Sequence, residues 1–155
     1  MFKSSSLVPI IALVLSLAAL PTWAQDSGAL DGNWEGAMSM IHGTGLREKG
    51  YPPQVWRLAV QGNSVEMFIR GADGSFTEVK PGGFKLVRHL NNALIYSLDS
   101  ASDGSWVETE AWSILKKNPD TLSVILSGAV NNPKSNDPNV VEFFTVRTGV
   151  FQLVK

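Results

Sequence analysis

The chain has 155 residues, 13 Lys and Arg against 14 Asp and Glu, and a formal net charge of −1. Acids and bases are interspersed, so there is no basic footprint for nucleic acid or for an anionic membrane surface. Cysteine is absent, which excludes disulfides, thiolate catalysis and a lipid-modified N-terminal cysteine.

Lys3 opens the chain with a positive charge, and residues 7–20 form an apolar run broken only by Pro9 and Ser16. Pro21 ends that run, and Thr22-Trp23-Ala24 sets small residues where a signal peptidase cuts. The pattern predicts a secretory signal peptide over 1–24 and a single domain over 25–155, periplasmic or secreted. Fourteen apolar residues fall short of the roughly 20 that a spanning helix needs, so no stable membrane insertion is expected after cleavage. Loss of Lys3 with the leader takes the formal charge from −1 to −2.

From residue 33 onward the apolar period is close to two, and Gly, Asn, Asp and Pro punctuate it. The spacing predicts strands at 33–41, 54–61, 64–70, 75–80, 83–90, 93–99, 105–115, 121–129, 140–147 and 150–154. Gly62-Asn63 and Asn91-Asn92 have the length and chemistry of two-residue hairpin turns. Ala72-Asp73-Gly74, Pro81-Gly82 and Asp103-Gly104 are further turn signals. Asn118-Pro119-Asp120 breaks the one region, near Leu115, where a helix is conceivable.

So many short strands with tight turns predict an all-β antiparallel meander. A long meander hides its edges best by closing into an up-and-down barrel, here of eight to ten strands. A β-sandwich is the alternative that the same pattern permits.

In the first strand, Trp34, Gly36, Met38 and Met40 share one face, and Glu35, Ala37, Ser39 and Ile41 the other. A tryptophan entering from one end can plug a barrel, and flanking glycines let the strand bend around it. Gly32-x-Trp34, at the start of the mature chain, resembles the first-strand signature of lipocalins and their calycin relatives. The resemblance covers the meander topology and this one motif. It implies a small-molecule or lipid-binding barrel, and it implies a late basic residue packed over Trp34, for which Arg147 has the suitable position.

The strand 105–115 places Trp106, Glu108, Glu110, Trp112 and Ile114 on one face. Turned inward, that face would set two carboxylates between indoles, a lining suited to a polar or cationic ligand. Turned outward, it would be a solvated face, since Glu is seldom buried without a partner. Arg88 shares a face with Phe84, Leu86 and Leu90, which marks it as the inward cation for Glu108, whether to hold a ligand or simply to neutralise the carboxylate. Arg57 and Arg70 alternate with apolar residues and are expected outside.

Catalysis finds little support. Glu108 and Glu110 lie two apart on one strand, about 6.5–7 Å between Cα atoms, and are poorly placed to flank a scissile bond from opposite sides. His42 and His89 are isolated and have no metal-ligand spacing. No phosphate-cradling loop or nucleotide fingerprint is present, and no motif asks for a cofactor. Two polar, proline-stiffened loops, 43–53 and 131–139, stand out by length.

The reading that joins most of these features is an exported, soluble β-barrel binding a small molecule in its lumen through Trp106, Glu108, Glu110, Trp112 and Arg88. The alternative is a cell-envelope protein-interaction or inhibitor module, with a protein partner docking on exposed Trp106 and Trp112. A hydrolase ranks third.

Overall fold

A computed structural model describes residues 30–44, 52–132 and 142–155. The predicted signal peptide and most of both polar loops lie outside the described residues. Among the described residues nine strands form: β1 (Gly32–Gly43), β2 (Gln54–Gln61), β3 (Ser64–Arg70), β4 (Phe76–Glu78), β5 (Lys85–His89), β6 (Asn92–Ser100), β7 (Val107–Asn118), β8 (Thr121–Asn131) and β9 (Glu142–Val154). They make one antiparallel sheet in the order β4-β3-β2-β1-β9-β8-β7-β6-β5. The two-sheet sandwich is not the arrangement that these strands adopt.

The expected strands 140–147 and 150–154 are one continuous strand, β9. Gly149 does not break it, because Gly149 pairs in register with Met38 of β1 and Val124 of β8. Its missing side chain makes room for β1: a Cβ there would stand 2.6 Å from Met38 Sδ and 2.5 Å from the Ala37 carbonyl oxygen. Gly149→Ala is therefore expected to cost about 2 kcal/mol by overpacking the β1–β9 seam. Urea unfolding of the variant checks this; an unchanged midpoint would mean that the seam yields freely.

The turn expected at Asn91-Asn92 lies one residue earlier. Asn92 already pairs with His89, and Leu90 carries the positive φ of 52°. A β-strand shifted by one residue turns every side chain to the other face, so the core decides this register. With Asn92 in β6, Ala93, Ile95 and Ser97 point inward and are buried. Gly62, Gly74, Gly82 and Gly104 take the positive φ values that their turns require.

Apart from Leu30 and Phe84, which flank strands, the core side chains come from one face of the sheet. Trp34, Met38, Leu58, Met67, Ile95, Trp112, Leu122, Val124 and Phe151 are fully buried on it. A single sheet can do this only by curling. Trp56 on β2 and Trp112 on β7 are four strand steps apart, about 19 Å in a flat sheet. Their ring centroids are 4.9 Å apart, meeting edge to face.

The ladder itself is not closed, because its edge strands β4 and β5 do not pair with each other. The reason is parity. In a sheet of nine antiparallel neighbours the first and last strands point the same way, so no hairpin can join them. The chain between them doubles back over 79–84. Val79 donates its backbone N–H to Met67 O on β3, and Lys80 then takes a left-handed φ of 50°. Phe84 is buried as the chain enters β5. This crossing brings β5 within reach of β3.

The curled sheet has two unlike ends. At the first, the Trp34 indole N–H donates to Leu30 O at 2.8 Å, and the Lys116 ammonium stands 5.6 Å from the ring centroid. The basic residue over Trp34 is thus Lys116, not Arg147. The register explains the correction: Trp34 pairs with Leu153 of β9, whereas Arg147 pairs with Met40, toward the opposite end of β1.

Candidate functional site

The second end is polar, and four strands and the 79–84 crossing build it. Glu108 and Glu110 of β7 sit on the same face as buried Trp112 and Ile114, so this face turns inward. Pairing carries that face across the sheet: Asp99 and Ser97 of β6 lie opposite Glu108 and Glu110, and Val130 and Gly128 of β8 lie on the other side. Thr145 and Arg147 of β9 continue the same row.

Lys80 is the cation at the centre. Its Nζ lies 2.9 Å from Asp99 Oδ2, 3.1 Å from Glu108 Oε2 and 3.3 Å from Glu110 Oε2. Ser97 Oγ is a further neighbour at 3.5 Å. Arg88, the expected partner, is elsewhere. It is on the inward face, opposite Ala93, but it reaches Asp31 at 2.8 Å, at the Trp34 end.

Trp106 is half-buried and lies just outside the strand expected to carry it. It precedes β7 in the 101–106 turn, where its carbonyl accepts from Ala101 N–H at 3.1 Å. Trp112 is inward as expected but wholly covered. The aromatic surfaces beside the carboxylates are instead Trp56 of β2 and Phe143 of β9, which the strand pattern did not single out. Trp56 is detectable only as an apolar position in a period-two strand, a signal shared with every core residue.

One ammonium serving three carboxylates leaves them unequally satisfied. Burial would by itself lower the Lys80 pKa, but the hydrogen bond to Asp99 and the charges of Glu110 and Glu108 overcome it and hold the ammonium above its ordinary range. Glu110 moves the other way for a carboxylate. Its burial raises its pKa, Lys80 opposes this, and repulsion from Glu108 and Asp99 adds to it. The two shifts agree physically: Lys80 is surrounded by negative charge, whereas Glu110, the most covered of the three carboxylates, shares one cation with two rivals.

Beside this cluster is a cavity of about 230 Å³ lined by Trp56, Glu108, Glu110, Phe143, Thr145 and Arg147, among others. Arg147 donates from its terminal nitrogen to Gln54 Oε1 across the β1 strand. The indole Nε1 atoms of Trp56 and Trp112 are buried with no hydrogen-bond partner among the described residues. The Trp34 indole, by contrast, is satisfied.

The outer face differs in kind. Over β6 to β9 it presents Ser, Thr, Ala and aliphatic side chains, with Leu94, Tyr96, Leu98, Ile125 and Val150 exposed. No protein-family model matches the chain, and no curated protein matches it either.

Proposed function

We propose that the protein is an exported, lipocalin-like up-and-down barrel, completed by the 79–84 crossing, that binds a small molecule at its polar end. The observation that carries this reading is Trp56. Its indole N–H is buried without an acceptor among the described residues, and its ring lines a cavity walled by Glu108, Glu110 and Arg147. A buried donor left unmade costs about 1–3 kcal/mol, and native proteins tolerate few of them. A ligand whose binding uncovers the indole and offers it an acceptor would remove that cost. Gly32-x-Trp34 and the capped Trp34 end support the likeness to lipocalins.

Native mass spectrometry of protein isolated from its own periplasm or medium tests the proposal. The expected result is a co-purified small molecule whose removal changes tryptophan emission, since Trp56 and Trp112 are in ring contact. Protein that carries no ligand, and whose emission is unmoved by any extract of low-molecular-weight solutes, would end it.

A second reading, docking to an envelope protein, now rests on different residues. Trp112 is buried, so the surface that favours it is the sparsely charged outer face of β6–β9, with Leu94, Leu98 and Ile125 exposed.

A further inference from the structure

We infer that the outer face of β6–β9 is the interface of a homodimer, in which two copies of this chain pack sheet against sheet about a two-fold axis. The inference stands apart from the ligand reading above, since it uses only side chains on the other side of the sheet. Charge is the first ground. Register fixes the outward rows that cross these four strands: the first runs from Asn92 of β6 to Val150 of β9, and the last from Leu98 to Phe144. From the first row to the last, no side chain is charged. The outward face of β1–β3 is the opposite, with Glu35, Arg57, Glu66 and Arg70 on it. Loss of charge from one half of a surface is the mark of an interface core, not of a solvated face. In a two-fold interface the patch meets its own copy, so a charge near the axis would face a like charge. A face without charge is compatible with itself, and it offers a foreign partner no charge pattern to fix its register.

Area is the second ground. Val87, Leu94, Tyr96, Leu98, Ile125 and Val150 are each 40–68% exposed. Their accessible surface comes to roughly 600 Å², and the Ser, Thr and Ala residues between them bring the face to about the 800 Å² per partner of a specific, stable interface. The apolar part alone reaches the upper limit for the largest patch on an ordinary monomer.

Shape is the third ground. A depression of about 580 Å³ on this face is lined by Val87, Leu94, Ser113, Leu115 and Ile125, among others. Leu98, the most exposed of the apolar side chains here at 68%, lies two rows further along β6 than Leu94. A two-fold axis lying across the strands, over the Tyr96 row, exchanges those two rows. Leu98 of each copy then comes to the depression of the other. Sheets packed face to face lie about 10 Å apart, the spacing at which such side chains interdigitate.

Sedimentation equilibrium of the full mature protein tests this directly, and a dimer is expected. Leu98→Asp and Ile125→Asp each bring like charges into the interface, and at least one is expected to raise the dimer dissociation constant about tenfold or more. Gln61→Asp, exposed at the end of β2 and outside the patch, should leave that constant unchanged. Urea midpoints show whether each variant is folded, and one that is not is replaced by the milder Leu98→Ser or Ile125→Ser. A protein that stays monomeric at high-micromolar concentration overturns the inference and leaves the face to a different protein. A dimer that neither substitution weakens, or that Gln61→Asp weakens as much, also overturns it, since another surface then joins the copies.

Discussion

Replacing Trp34 with Ala is expected to destabilise the protein by about 3–5 kcal/mol, the range for emptying a large aromatic site in a packed core. Trp34 is fully buried, its N–H satisfies Leu30 O, and Lys116 covers its ring. Alanine leaves a void, an unsatisfied carbonyl and an ammonium without its aromatic surface. Gly36 makes collapse of the site difficult from one side, since the strand there already lies against Phe151, whose ring would be 2.7 Å from any added Cβ. Domains of this size have a total stability of only about 5–15 kcal/mol, so the loss should be plain in a urea titration. A shift below about 1 kcal/mol would mean that Trp34 does not hold this end together.

The second large effect is expected at Lys80. Lys80→Met should cost about 3 kcal/mol at pH 7, the lower end of the range for breaking a buried charge cluster, because the site is partly open to water. Methionine keeps much of the bulk, so the loss comes from Asp99, Glu108 and Glu110 facing one another uncompensated. The cost should depend on pH, with a definite sign. Glu110 has a raised pKa in the folded protein, so folding favours its protonated form. Stability of the variant therefore rises as pH falls through that raised value and is fully regained only below the ordinary carboxylate value of 4.5. In the natural protein the Lys80 pKa is raised, so its contribution is complete below the ordinary lysine value of 10.5 and lost only as pH climbs beyond it. Denaturant midpoints measured between neutral pH and about pH 4 check this; a gap between the two proteins that does not narrow on acidification would refute the shared-cation account.

Why was Lys80 illegible in the sequence, as was Asp99, when Glu108 and Glu110 stood out? Alternation along a strand reports which face a side chain occupies, and it did so for Trp34, Glu108, Glu110 and Trp112. It says nothing about height along the axis of the curled sheet, which depends on how each strand is registered against its neighbours. Arg88 and Glu108 are both on the inward face, but Arg88 is level with Ala93 and Ile114. Ile114 is four residues beyond Glu110 on β7, about 13 Å away. Arg147 failed as the cover for Trp34 for the same reason. Lys80 reaches the carboxylates only because β4 and β5 point the same way and the chain must cross between them. That is a property of strand count and connection, which no local pattern carries. The strands themselves were legible because apolar period and turn chemistry are local. The fusion of the last two into β9 was not, since Gly149 reads locally as a break and is needed only because β1 packs against it.

The pairing of β1 with β9 has a consequence for how the chain reaches its native state. These two strands occupy the middle of the sheet, yet they are the first and last strands of the described residues. Every hydrogen bond between them spans more than 100 residues of sequence, and β8 and β2 dock on either side of that pair. Contacts of such separation slow folding, because the entropy of closing the loop is lost before the contacts are gained. A nascent chain that lacks β9 has its two halves, β1–β4 and β5–β8, as separate hairpin stacks with no strand to join them. Such a chain stays uncommitted until β9 is in place, a delay that would serve the export proposed above.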